Sequence, residues 1–262
     1  MAGVISVNLS PVVPQPGGET RFILARNNSD LSAIANTLAG ISEPLAIELK
    51  TYNARDPVSS KRGFKDVALL SIKASGLPPW LIDLKETGYD LGELKDVLQN
   101  HEVIAHDAAF VVGFLRTNLE LHLKRVWCTL TAVKLAKHQL DVDFSYDLGP
   151  VLEKYLSVTI PEDPGTTDWG KPLTEDQYRY AAATVEYLHP LKATLEQALI
   201  QSHVLPAFQA LNAMIPISPF TYEQQLRAVV PPPMTSFIRS TEATNKDDNG
   251  HVPSGDHQRD TR

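Results

Sequence analysis

Glu48 and Lys50 stand two residues apart in Pro44-Leu-Ala-Ile-Glu-Leu-Lys-Thr51, a stretch that is otherwise mostly apolar. In an extended strand Leu45, Ile47 and Leu49 point to one face, and Ala46, Glu48 and Lys50 to the other. A carboxylate and an ammonium set side by side there need a partner, water or a function, because an unpaired buried charge is costly. Two later segments bring further chemistry. His106-Asp107 closes a short apolar run, Val103-Ile104-Ala105, and Tyr180 places a phenol in a helical pattern. Each of these residues has a structural reading beside a functional one. His106 is either a base or a satisfied core histidine. Asp107 suits the first turn of a helix, near the positive end of its dipole. Tyr180 is either a packed aromatic or a working phenol.

The elements that must position these groups are legible from periodicity. Arg21 to Ala25 reads as a short strand. A helix follows, with Leu31, Ile34, Ala35 and Leu38 on one face, Ser29 or Asp30 as its cap and Gly40 as its stop. Strands are expected over 44–51, Val67–Lys73, Trp80–Asp83 and Val103–Ala105, with a polar loop from Asn53 to Gly63. Helical spacing recurs at Leu91, Leu94 and Leu98, and again at Phe110, Val111, Phe114 and Leu115. Further helices are predicted over 126–138 and around Leu148, Leu152, Tyr155 and Leu156. Thr174 with Gln177 three residues later forms a capping box that opens a long helix, kinked at Pro190. Shorter helices fall within 204–214 and 222–229. Early strands followed by mixed strands and helices predict an α/β domain.

Composition narrows the function classes. The chain has 262 residues, 43% of them hydrophobic, which is ample for a core. No apolar run reaches the length of a membrane span, and no secretory signal pattern opens the chain, so a cytoplasmic protein is expected. The one cysteine, Cys128, excludes an intrachain disulfide and a multi-cysteine zinc site, and reads as an inert buried residue. A net charge of −7 gives no general attraction to nucleic acid, so any such binding needs a local basic groove. There is no Walker-type phosphate loop, no dinucleotide-binding glycine pattern, no Gly-x-Ser-x-Gly elbow and no His-x-x-x-His zinc pair.

The order of the three segments resembles the 3′–5′ exonucleases of the DEDD superfamily, in its tyrosine-containing branch. That branch includes ribonuclease D and the proofreading domain of family A DNA polymerases. Glu48-Leu49-Lys50 stands where the family has Asp-x-Glu. His106-Asp107-Ala108-Ala109-Phe110-Val111 is similar to His-Asn-x-x-Phe-Asp, and Tyr180-Ala181-Ala182-Ala183-Thr184 to Tyr-x-x-x-Asp. Thr167-Asp168-Trp169, then Leu173, Gln177, Tyr180 and Leu188, resembles the stretch leading to the family tyrosine. Trp127-Cys128-Thr129-Leu130 resembles the family's Asp-Thr-Met helix start, with Cys128 at the aspartate. Leu205-Pro206, Leu211 and Met214 are similar to a stretch that follows the exonuclease domain in family A polymerases, with Ile215 at its glutamate; the chain would then be a free-standing or truncated relative.

The resemblance implies a ribonuclease H-like α/β exonuclease fold, with a mixed central sheet flanked by helices. It places that domain at 20–200, after a flexible leader at 1–19 and before C-terminal helices at 201–230 and a disordered polar tail at 231–262. It also marks the family's catalytic positions, here Glu48, Lys50, Val111, Tyr180 and Thr184, and nucleic-acid-binding candidates Thr51, His106, Asp107 and Phe110. Such enzymes hold two divalent metals on four carboxylates. At those four places this chain has Glu48, Lys50, Val111 and Thr184, so four negative charges become none net. Two unit charges 4 Å apart interact by about 4 kcal/mol at an effective dielectric of 20, so losing three carboxylates removes most of the metal's attraction.

The implied function is therefore an exonuclease-like domain without catalysis, which binds nucleic acid or a protein partner and needs no cofactor. Single-stranded 3′ ends are the natural ligand by resemblance. One alternative is an active, Mg- or Mn-dependent exonuclease with a rearranged site built from Glu48, Asp107 and Tyr180. Another is a protein-interaction module whose polar tail makes the contacts. Glu48 and Lys50 either pair with each other and solvent, or Lys50 replaces the missing cation.

Overall fold

The computed structural model describes residues 21–51, 67–136, 144–161 and 169–218. The expected leader, the Asn53–Gly63 loop, Asp168, the short helix at 222–229 and the polar tail lie outside the described residues.

Among the described residues six strands form one mixed sheet. They are β1 (Ile23–Ala25), β2 (Leu45–Thr51), β3 (Val67–Lys73), β4 (Trp80–Asp83), β5 (Glu102–Ala105) and β6 (Arg125–Cys128), in the order β1-β4-β3-β2-β5-β6. β2 and β4 flank β3 antiparallel, while β1–β4, β2–β5 and β5–β6 are parallel. The helices are α1 (Asn28–Ala39), α2 (Leu94–Asn100), α3 (Ala108–Leu119), α4 (Thr129–Ala136), α5 (Leu148–Leu156), α6 (Glu175–Glu186), α7 (Leu188–Gln201) and α8 (Leu205–Met214).

Both faces of the sheet are covered, which is why β2 reads as nearly continuous apolar sequence. Ile47, Leu70, Ile72 and Ile82 belong to the larger core with α1, α2 and α3. On the opposite face Leu69 and Leu81 pack with Trp169, Tyr178, Ala181 and Ala182, beneath α6. The small residues Ala181 and Ala182 let α6 lie close to the strands. The capping box that opens α6 is formed as the sequence predicts, with Thr174 and Gln177 each bonding the other's backbone.

Three local expectations are corrected. The cap of α1 is Asn27, whose side chain accepts from Asp30 N at 3.0 Å; Asp30 Oδ2 in turn accepts from Arg26 N at 2.9 Å. The helix expected over 126–138 begins only at Thr129. Val126, Trp127 and Cys128 instead pair with Val103, Ile104 and Ala105, because a buried strand position outweighs their helical spacing. The long kinked helix is two helices, broken at Tyr187 with φ −101° and ψ 2°. Pro190 is the third residue of α7, in the first turn, where its missing N–H costs no helical hydrogen bond.

β6 is an edge strand, and α8 shields it. Asn212 Oδ1 accepts from Cys128 N at 2.9 Å while Asn212 Nδ2 donates to Val126 O, so one amide side chain occupies the edge as a neighbouring strand would. His106, at the end of β5, ties two later elements to the sheet. Its Nε2 lies 2.8 Å from Tyr146 O, and its Nδ1 2.8 Å from Thr129 Oγ1. A carbonyl only accepts, so Nε2 carries the proton and Nδ1 accepts from the threonine hydroxyl.

Asn212→Ala leaves the Val126 carbonyl and the Cys128 N–H without that partner and is expected to cost about 1–3 kcal/mol, read as a lower urea midpoint at unchanged slope. Burial lowers the His106 pKa to about 4 from its ordinary 6.5. Between those values the unfolded chain takes up a proton that the folded one resists. Stability therefore falls as pH drops from about 6.5 to about 4, by about 3 kcal/mol, with no further loss from this group below. Urea melts across that window should show a flatter pH slope for His106→Gln than for the wild type.

Candidate functional site

The site is assembled on the α6-covered face of the sheet. Residues opposite one another in an antiparallel pair project from the same face. Glu48 lies opposite Ser71, Lys50 opposite Leu69, and Ala46 opposite Lys73. A row of polar groups therefore runs across β2 and β3 under a helix. Its ends are paired. Lys50 Nζ is 3.4 Å from Glu48 Oε1, and Lys73 Nζ is 3.1 Å from Glu186 Oε1. The Lys50 side chain is only 10% exposed and that of Glu48 19%.

Tyr180 closes the site from α6. Its ring centroid is 4.5 Å from Lys50 Nζ, so the ammonium rests on the aromatic face. Trp169 packs on Tyr180 in turn, with ring centroids 6.4 Å apart. Glu48 completes the arrangement. Burial raises its carboxyl above the usual carboxylate range, the Lys50 charge and hydrogen bond draw it back, and the charge of Asp107 adds to the rise. Among the described residues, Glu48 Oε2 and Ser71 Oγ are buried without a hydrogen-bond partner.

The remaining expected site residues take varied places. Asp107 caps α3 from the left-handed region, with φ 51° and ψ 57°, a conformation aspartate tolerates better than most residues. Its backbone carbonyl accepts from Val111 N at 3.2 Å. Phe110 is partly buried on α3 with its ring 4.6 Å from that of Phe114. Thr51 ends β2 just after a register shift between Lys50 and Thr51. His106 has both ring nitrogens engaged within the fold, so its geometry serves packing rather than a ligand. Cys128 is buried, and burial pushes its thiol pKa up.

Val111 and Thr184 are both only 2% exposed. The Thr184 hydroxyl donates to Ala181 O at 2.9 Å, within its own helix. Sequence reasoning missed Ser71, Lys73 and Glu186. The alternation of β3 marks Ser71 and Lys73 as sharing a face, but Glu186 meets them only through the docking of α6.

This donor set does not fit a pair of divalent metals. Hard cations take several oxygen ligands, mostly anionic. Here one glutamate oxygen faces an ammonium, Val111 offers no oxygen, and Thr184 is committed to its helix. Among the described residues no group of three His, Cys, Asp or Glu side chains could hold a metal ion. Nor, among them, is any helix long and apolar enough to cross a membrane.

Comparison with known proteins agrees with this architecture. Ribonuclease D of Escherichia coli strain K12 is 42% identical over 64 residues, which are 24% of this chain and 17% of that protein. Ribonuclease D of Psychromonas ingrahamii is 28% identical over 130 residues, 49% of this chain and 34% of that one. The crystal structure of E. coli RNase D, described as an exoribonuclease involved in structured RNA processing, superposes with a TM-score of 0.63 at 22% identity, covering 76% of this chain and 50% of that one. Brucella melitensis NrnC bound to pGG gives a TM-score of 0.63 at 23% identity, covering 76% and 90%; NrnC is also known with bound Mg2+. The chain thus spans half or less of the length of ribonuclease D. The likenesses show the ribonuclease H-like exonuclease fold that the sequence implies. Residues 29–200, well over half of the chain, match the family described as 3′–5′ exonuclease, and the chain belongs to that family.

Proposed function

We propose that this chain is a nucleic-acid-binding member of the 3′–5′ exonuclease family that has lost two-metal catalysis. The observation that carries this reading is the Lys50 ammonium, 3.4 Å from Glu48 Oε1 and 4.5 Å from the Tyr180 ring centroid. A two-metal site clamps the attacking and leaving oxygens of phosphoryl transfer between cations held by carboxylates. A lysine in that position opposes metal binding. Tyr180, which in the family helps position the attacking water, packs on the lysine instead.

The ligand class follows from the family. E. coli RNase D acts on RNA and NrnC holds pGG, so a single-stranded oligonucleotide with a free 3′ end is the ligand proposed here. Phe110 and Tyr180 are only partly buried, and base stacking on the ring surface left exposed tolerates many sequences. With an overall charge of −7, binding rests on local cations and falls steeply with salt. A second reading is a rearranged metal-dependent nuclease using Glu48, Asp107 and Tyr180, and one observation favours it: Glu48 Oε2 is buried without a hydrogen-bond partner among the described residues.

A 5′-labelled single-stranded RNA or DNA oligonucleotide, incubated with Mg2+ or Mn2+, separates the two. The expected result is salt-sensitive binding with no shortening. Stepwise shortening that Tyr180→Phe abolishes would establish the second reading and remove the first.

A further inference from the structure

We propose that the cavity between β6, α7 and α8 is a second binding site, which takes a small aromatic anion: a ring system carrying one phosphate or carboxylate. The inference goes beyond the proposed function, since this cavity and the Glu48–Lys50 pair lie at opposite ends of the strands. Glu102 and Arg125 open β5 and β6 at the cavity, whereas Glu48 and Lys50 stand toward the close of β2, which runs parallel to β5.

The cavity holds about 400 Å3, within the range of small-molecule sites. Its floor is apolar and buried. Val126 and Trp127 come from β6 and Phe208 from α8, with the Trp127 and Phe208 ring centroids 4.8 Å apart. Its rim is charged. Lys124 and Arg125 are exposed where β6 begins, Glu102 is opposite Arg125 on the ladder, and Lys192 and Glu196 stand on α7. Three cations thus face two carboxylates, one positive charge in excess on a chain whose net charge is −7.

The cations are under-matched. Lys124 Nζ donates to Asn100 Oδ1 at 3.0 Å and Arg125 Nη2 to Asn100 O at 2.6 Å, both neutral acceptors that leave the charge uncancelled. Lys192 is the decisive group. Its side chain is only 20% exposed, its ammonium lies 5.3 Å from the Trp127 ring centroid, and Glu196 Oε2, at 3.7 Å, is beyond hydrogen-bond distance. Among the described residues that ammonium makes no hydrogen bond. A largely desolvated ammonium gains most from an anionic oxygen that it can bond directly. The aromatic floor beneath it favours a flat ring over an aliphatic body. The single excess charge suits a ligand with one anionic group. It opposes a long polyanion, which would bring further negative charge against Glu102 and Glu196.

Calorimetric titration of the full chain tests this with two probes, adenosine 5′-monophosphate and 1-naphthoate, beside their uncharged counterparts adenosine and 1-naphthylmethanol. The expected result is one-to-one binding of at least one anion, about tenfold or more tighter than its counterpart. The tighter of the two anions tells a phosphate-bearing ligand from a carboxylate-bearing one. Lys192→Met should weaken that binding by about tenfold or more. Ala213→Trp, which fills the cavity from an exposed position on α8, should abolish it, and this variant decides if Lys192→Met fails to fold. Binding of neither anion overturns the inference, as does equal binding of the uncharged counterparts. So does anion binding that survives Ala213→Trp or is unchanged in a folded Lys192→Met. No oligonucleotide enters these titrations, so this site and the proposed function fail independently.

Discussion

An ammonium group held between a carboxylate and an aromatic ring, on a strand buried from both sides, is the constraint around which this structure is arranged. β2 is central, with β3 on one side and β5 on the other. Charge on such a strand is tolerable only when every charge is matched nearby. Glu48 and Lys50 match each other, and Lys73 with Glu186 repeats the solution one strand away. Both pairs lie under α6, so the helix that brings Tyr180 and Glu186 to the sheet completes the electrostatics as well as the packing.

Specific local chemistry makes that docking reproducible. The Thr174–Gln177 capping box sets where α6 begins. Ala181 and Ala182, small residues packed with Leu69 and Leu81, let it approach β2, β3 and β4. Trp169, just before the helix, packs on Tyr180 and limits where the phenol can lie. Elsewhere polar side chains finish what the backbone leaves open. Asn212 caps the β6 edge and His106 anchors the starts of α4 and α5 to the end of β5. Each is a tertiary hydrogen bond that replaces water at a buried backbone group.

Family membership does not by itself set the chemistry of the site. The fold belongs to a group of nucleases, and the overall sheet order and helix placement serve that heritage. Yet the groups at the centre of the site are those of a salt bridge rather than a metal ligand set. A fold fixes where side chains meet, while the reaction depends on which side chains they are.

How much of this could be read from the chain depends on distance along it. The alternation of Leu45, Ile47 and Leu49 against Ala46, Glu48 and Lys50 defined β2 and put Glu48 beside Lys50, because side-chain direction in a strand is settled within two residues. The capping box at Thr174 was legible for the same reason. Motif order carried the family resemblance, and with it the sheet. What failed was decided by partners far away. Trp127 and Cys128 lie in a strand because β5 offers them a ladder. The partners of His106 are 23 and 40 residues distant. The ring over Lys50 and the carboxylate on Lys73 come from α6, more than a hundred residues after the strands they meet. Local backbone preference acts over a few residues and is written in the sequence; the matching of buried charges is settled only when distant elements pack and exclude water.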